Sequence, residues 1–204
     1  MEGAGQYQLI DFTQNVQTFG LQSGGMAPQT NAAAQRAGIS EKRLPLNVQR
    51  QLQSNWCWSA VSVSVSIYYN PQSAWTQCSL VTAEFNTDCC IDGSTSDCNR
   101  SWYLDVALTK VGCPNSWTAN RTPFPIVMKT INDNTPLCAR TQWSNGGGHF
   151  LSIIGYVFSG QMQYLFLSDP FYGNQMVPYD VFCTNYQGLG GTWDYSYFTY
   201  FAQS

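Results

Sequence analysis

His149 is the chain's only histidine, so any imidazole acting as a general base must be this residue. An unperturbed imidazole titrates at about 6.5, which is why acid–base work near neutral pH falls to it. Taken alone, a histidine at the start of an apolar strand reads as structural. Its neighbours change that reading. Gly146-Gly147-Gly148 precede it and allow close backbone approach, and Phe150-Leu151-Ser152-Ile153-Ile154 follow as a buried-strand run. The next apolar run, Gln161 to Ser168, ends in Asp169-Pro170. If Phe158-Ser159-Gly160 closes a hairpin between them, Val157 pairs with Gln161, Ile153 with Leu165, Leu151 with Leu167 and His149 with Asp169. Directly opposed Cβ atoms lie about 4.5–5.5 Å apart, close to what a carboxylate–imidazole hydrogen bond requires. A slip of one residue would send the two side chains to opposite faces.

A histidine held by a carboxylate needs a nucleophile to activate. Cys57, in Gln51-Leu52-Gln53-Ser54-Asn55-Trp56-Cys57-Trp58-Ser59-Ala60, is the candidate. A thiol at a helix N-terminus facing an imidazole becomes a thiolate near neutral pH. This requires residues 57–69 to be a helix, and their pattern is ambiguous. Val61, Val63, Val65 and Ile67 alternate with serines as in a strand, while Cys57, Ala60, Val61, Ser64, Val65 and Tyr68 follow helical spacing. A helix there would end before Asn70-Pro71. The alternative for Cys57 is a disulfide, but it stands far from the other cysteines, between two tryptophans.

Trp56-Cys57-Trp58-Ser59-Ala60, with Gln51 six residues before the cysteine, resembles the nucleophile motif of papain-like cysteine peptidases. Gly147-Gly148-His149-Phe150 before an apolar strand resembles that family's histidine motif, and the order Cys, His, Asp is the family's order. The likeness is to compact bacterial members, among them secreted effector proteases and relatives of bacteriocin-leader peptidases. Asn55-Trp56-Cys57-Trp58, Asp169-Pro170 and Cys89-Cys90 followed by Cys98-Asn99 are similar to that subgroup. The resemblance implies a cysteine endopeptidase working through Cys57, His149 and Asp169, with Gln51 and the Cys57 N–H as the oxyanion hole. Gln53 competes with Gln51 for that role, and papain itself has Asn where Asp169 stands. It also implies a protein or peptide substrate and no cofactor or metal. The same residue set serves acyl transfer to amines and glutamine deamidation, because a triad does not fix its substrate. A catalytically inactive, disulfide-stapled binding module is the alternative from another class.

The elements that must position these residues suggest an α+β fold. Helical spacing covers Ser101 to Gly112 and Ile126 to Ile131. Strand-like runs cover Leu137–Trp143, His149–Phe158, Gln161–Ser168, Met176–Phe182 and Thr192–Phe201. Helices first and strands second make an α+β arrangement, and the resemblance implies its papain-like form, an N-terminal helical lobe with the nucleophile helix packed on a C-terminal antiparallel sheet or barrel lobe. Residues 1–41, rich in Gln, Gly, Ala and Asn, are expected to be a flexible leader or N-terminal extension, with the peptidase domain over 42–204.

Composition narrows the remaining classes. With 204 residues, 44% hydrophobic, 10% charged and a net charge of −3, the chain has no basic stripe for nucleic acid. No window approaches the roughly 18 apolar residues of a membrane helix, and Met1-Glu2-Gly3-Ala4-Gly5 lacks a signal peptide's charged start and apolar run. Eight cysteines that lack zinc-site spacing suggest disulfides and a secreted, extracytoplasmic protein; a monomer is expected. Adjacent Cys89 and Cys90 would bridge outward to Cys78 and Cys98 more readily than to each other, although sequence leaves the connectivity open. Asp88, Asp92 and Asp97 lack the calcium-loop pattern, and Asn99-Arg100-Ser101 and Asn120-Arg121-Thr122 match a glycosylation triplet that chance often produces.

Overall fold

The computed structural model describes residues 38–200. The residue 1–37 part of the expected leader lies outside the described residues, and the expected boundary at 41/42 falls inside the first strand, β1 (Ile39–Arg43). Three helices follow: α1 (Cys57–Tyr69), α2 (Gln77–Phe85) and α3 (Leu104–Lys110). Then come β2 (Asn115–Thr118), α4 (Phe124–Asn132), β3 (Leu137–Gln142), β4 (Gly148–Ser159), β5 (Met162–Asp169) and β6 (Gly173–Pro178). A short helix α5 (Tyr179–Thr184) and strand β7 (Thr192–Thr199) complete the α+β chain.

The strands form one antiparallel seven-stranded sheet in the order β2-β7-β3-β4-β5-β6, with β1 also paired to β4. β3 pairs with the first half of β4 and β1 with its last residues, so both share the edge opposite β5. One core lies between α1, α2, α3 and one face of the sheet, including Phe150 and Ile154. The other lies between α4, α5 and the opposite face, including Leu151, Ile153 and Tyr156.

α1 resolves the ambiguity of its sequence. Every residue from Cys57 to Ser66 is buried, so the helix has no polar side to give it an amphipathic signature. The serines fit because their hydroxyls find carbonyls. Ser62 donates to Trp58 O at 2.8 Å and Ser64 to Ala60 O at 2.7 Å within the helix. Ser59 and Ser66 reach out to Gln77 O at 3.0 Å and Val111 O at 3.0 Å. Small side chains let α2 and α3 approach, and Val61, Val63 and Val65, fully buried, each contribute about 1.5–3 kcal/mol.

The β4–β5 hairpin departs from the expected pairing. Ser159 pairs with Met162, Val157 with Tyr164 and Tyr156 with Leu165, so Gly160-Gln161 is a two-residue turn, with Gly160 at φ +60°. That register alone would put His149 and Asp169 on opposite faces. A β-bulge between Ile153 and Gly155 adds one residue and restores the parity, after which Ile153 pairs with Leu167. The switch is visible in the cores: Leu151 and Ile153 face the same side as Tyr156. Gly155 permits it, because a Cβ there would lie 2.5 Å from Lys42 O on β1. The expected strand Met176–Phe182 also needs correction. It ends at Pro178, which lacks an N–H for the ladder, and Tyr179–Thr184 form α5, which buries Phe182 and Cys183.

Candidate active site

Cys57 is the first residue of α1, buried at 8% exposure, and no side chain caps this helix. The first N–H groups of a helix have no intrahelical acceptor, so they are free to meet an anion. Cys57 is a free thiol, as are Cys113, Cys138 and Cys183. Burial pushes the thiols of Cys113 and Cys138 up to about 12, and burial also raises Cys183. The other four cysteines form Cys78–Cys90 and Cys89–Cys98, so Cys89 and Cys90 do bridge outward.

His149 is the second residue of β4, after a turn in which Gly146 and Gly147 take φ of +94° and +78°. Trp143 N donates to Gly147 O and Gly146 N to Trp143 O, closing the β3–β4 connection. The Arg140 side chain crosses over Gly148, where a Cβ would lie 2.6 Å from Arg140 Nε. Asp169 is the last residue of β5, where Pro170-Phe171-Tyr172 lead into Gly173 at φ +80°. Its Oδ1 accepts from Phe171 N at 2.7 Å and Tyr172 N at 2.8 Å, an Asx-type turn that fixes the carboxylate.

His149 and Asp169 are not an opposed pair, as the sequence suggests. Continuing the β4–β5 register sets Asp169 level with Leu151, diagonal to His149 on the same face. His149 Nε2 lies 2.9 Å from both Asp169 oxygens. Tyr186 Oη, absent from the sequence-level candidates, donates to Asp169 Oδ2 at 2.8 Å. The ring of Trp143 stacks on His149 (6.1 Å, 26°) and on Tyr186 (6.2 Å, 13°), and Tyr172 meets His149 edge-on at 6.1 Å. Gly191 makes room for Trp143, because a Cβ would stand 2.7 Å from Cζ3. These aromatic residues sit in loops beyond the strand ends, where periodicity carries no signal. The nearest clue was Phe171-Tyr172 directly after Asp169-Pro170.

Burial disfavours the charged imidazole, but hydrogen bonds to Asp169 and Cys57, and the charges of both, outweigh it and push His149 up to about 10. With Nε2 committed to Asp169, Nδ1 is the ring nitrogen left for Cys57. Burial beside the Asp169 charge also raises the Tyr186 hydroxyl, which therefore remains a donor.

Gln51 is tied to the same region, its N–H donating to Pro170 O at 2.9 Å. Its side-chain Nε2 donates to Gln53 O at 2.9 Å and Ser54 O at 2.8 Å, while its Oε1 is buried without a partner. Gln53 bears on the site through its backbone, as that carbonyl also accepts from Trp56 N. Among the described residues no cluster could hold a metal ion, and no helix is long and apolar enough to cross a membrane.

The family model of the papain-like cysteine protease AvrRpt2 matches residues 39–187. Among solved structures, the chain is similar to one described for the mite allergens Blo t 1 and Der p 1 (13% identity, TM-score 0.49, 88% of this chain and 73% of the other). It is also similar to procathepsin L 3 of Tenebrio molitor larval midgut (12%, 0.45, 81% and 68%) and to the Pseudomonas avirulence protein AvrPphB (10%, 0.37, 76% and 96%). No curated protein matches the chain. The match over 39–187 includes Cys57, His149 and Asp169, and the chain belongs to the AvrRpt2 family of papain-like cysteine proteases, which makes it a cysteine peptidase acting on protein substrates.

Proposed function

We propose that the chain is an endopeptidase in which Cys57 is the nucleophile, His149 the acid and base, and Asp169 the group that orients His149. The observation that carries this reading is the imidazole held by a buried carboxylate at 2.9 Å, with its other nitrogen left for a cysteine at a helix N-terminus. A protonated imidazole and the open end of α1 both stabilise negative charge beside them. Cys57 Sγ attacks the scissile carbonyl carbon, and the oxyanion forms beside the Cys57 N–H. Gln51 Nε2 is the second donor, shifting from the Gln53 and Ser54 carbonyls or sharing its hydrogens with them as substrate arrives. His149 gives its proton to the leaving amine, then takes one from the water that hydrolyses the acyl-enzyme. Asp169 and Trp143 keep the ring in one tautomer and orientation, the first by hydrogen bonds and the second by stacking.

The protein is further read as an exported effector. Two disulfides in a chain of this composition support passage through an oxidising compartment. Cys57→Ala tests the nucleophile: the variant should fold and melt like the parent while cleavage of a denatured protein substrate is abolished. Full cleavage by that variant would end the reading.

A further inference from the structure

Cys57 follows a turn that owes its shape to a distant loop. Asn55 N donates to Asn99 Oδ1 at 2.9 Å, Asn55 Nδ2 to Asn99 O at 2.8 Å, and Asn99 Nδ2 to Ser54 Oγ at 2.9 Å. On either side of Cys57, Trp56 Nε1 donates to Cys98 O at 2.9 Å and Trp58 Nε1 to Arg100 O at 3.1 Å. The turn from 54 to 58 is thus hydrogen-bonded to three consecutive residues, 98–100. Those residues belong to a stretch, 86–103, with no helix or strand to hold it. It is braced at this point by Cys89–Cys98, both cysteines 1% exposed, and by Cys98 N and Asn99 N donating to Thr95 O at 3.1 and 2.8 Å. The loop closed by this bridge also wraps the indole of Trp56, since a Cβ on Gly93 would lie 2.6 Å from Cη2. The second bridge, Cys78–Cys90, ties the loop to α2, and among the described residues no hydrogen bond joins either of its cysteines to 54–58.

We propose that Cys89–Cys98 and Asn99 form a positioning clamp for the nucleophile turn, and that opening this bridge with a dithiol switches Cys57 off. The proposal rests on Cys57 being the nucleophile. The clamp acts on two parts of the site together. It sets the first turn of α1, and it fixes Ser54, whose carbonyl helps hold Gln51 Nε2. In the switching step a dithiol's thiolate attacks one sulfur of the bridge and the other leaves as a thiolate. The reductant's second thiol then displaces the mixed disulfide. Two cysteine thiols and one oxidised, cyclic reductant result, two electrons having passed to the protein. Asn99 opens the Asn99-Arg100-Ser101 triplet, and its amide is already engaged with Ser54, so a glycan there would break the clamp.

The test is the rate of iodoacetamide alkylation at Cys57, located by peptide mapping, as a function of pH. It compares wild type, Cys89→Ala/Cys98→Ala, Asn99→Ala, Asn99→Asp and Cys78→Ala/Cys90→Ala, with circular dichroism as the fold check. The Cys89/Cys98 double variant and Asn99→Ala should be ~10- to 100-fold slower near neutral pH, as a misplaced reacting group is. Their pH profiles should move toward that of an ordinary thiol, a change that mere loss of stability does not produce. Asn99→Asp, which keeps the acceptor for Asn55 N, should recover part of the rate, and Cys78→Ala/Cys90→Ala should match wild type. In wild type, dithiothreitol should slow Cys57 in step with the appearance of alkylated Cys89 and Cys98. Wild-type rates and profiles in folded Cys89→Ala/Cys98→Ala and Asn99→Ala overturn the clamp. If the double variant does not fold, Asn99→Ala decides alone. Absence of selective Cys57 labelling in wild type would instead overturn the nucleophile reading beneath it.

Discussion

Replacing Asp169 separates the charge of this residue from its hydrogen bonds. Its side chain is fully buried and accepts from His149, Phe171 N, Tyr172 N and Tyr186 Oη. Asp169→Ala removes all four partners' acceptor, at about 1 kcal/mol each. The sum, about 4 kcal/mol, lies within the roughly 3–5 kcal/mol seen when one member of a buried pair is deleted. Asp169→Asn is different. Its Oδ1 can still accept from the two backbone groups and from His149, and its Nδ2 can donate to Tyr186 Oη, so the loss from hydrogen bonding alone should be about 1 kcal/mol. The charge is nevertheless gone, and with it part of what raises His149 to about 10. The folded state favours the imidazolium, so its contribution to stability is fully present below about 6.5 and fades as pH rises toward about 10. In the proposed mechanism His149 carries a proton for the leaving amine, so the alkaline limb of kcat/KM should also lie well above 6.5, and in Asp169→Asn it should move down toward that value. Denaturant melts of both variants and a pH–kcat/KM series on Asp169→Asn are the assays. An Asp169→Ala protein as stable as wild type, or an unmoved alkaline limb in Asp169→Asn, would refute the reasoning.

Other perturbations test separate parts of the site. Gln51→Ala should lower kcat by about 100-fold with KM little changed, the usual effect of losing one oxyanion donor, and steady-state kinetics on a peptide amide would show it. Gly93→Ala should destabilise by about 1–3 kcal/mol through overlap with Trp56, read as a lower thermal midpoint.

The candidate chemistry is more legible in the sequence than the geometry is. Cys57, His149 and Asp169 stand out because residue types carry chemical information: one histidine, one cysteine between two tryptophans and one acid at a strand end. The strands from Leu137 onward, apart from the one that ends at Pro178, were legible for the same reason that they fold, their β-branched and aromatic runs broken by Gly, Asn and Ser. α1 was not, because a helix buried on every side presents no periodicity, and its serines imitate an alternating strand. The hairpin register was misread because Gly160-Gln161 and the bulge before Gly155 each shift it. Their shifts cancel in parity, which is why His149 and Asp169 still share a face. The hydrogen bonds from Tyr186 to Asp169 and from Asn99 to Asn55 join loops far apart in the chain. Such contacts exist only after the sheet has assembled.

In the proposed mechanism Cys57 is an activated thiol paired with His149. Its most direct test is brief iodoacetamide treatment of the intact, non-reduced protein, followed by mass measurement and peptide mapping. Cys113, Cys138 and Cys183 are buried thiols raised by burial, and the remaining cysteines are bridged. One fast, pH-dependent adduct on Cys57, lost in His149→Ala, is the expected result. Labelling of Cys57 no faster than that of the other free thiols, or unchanged in His149→Ala, would contradict it.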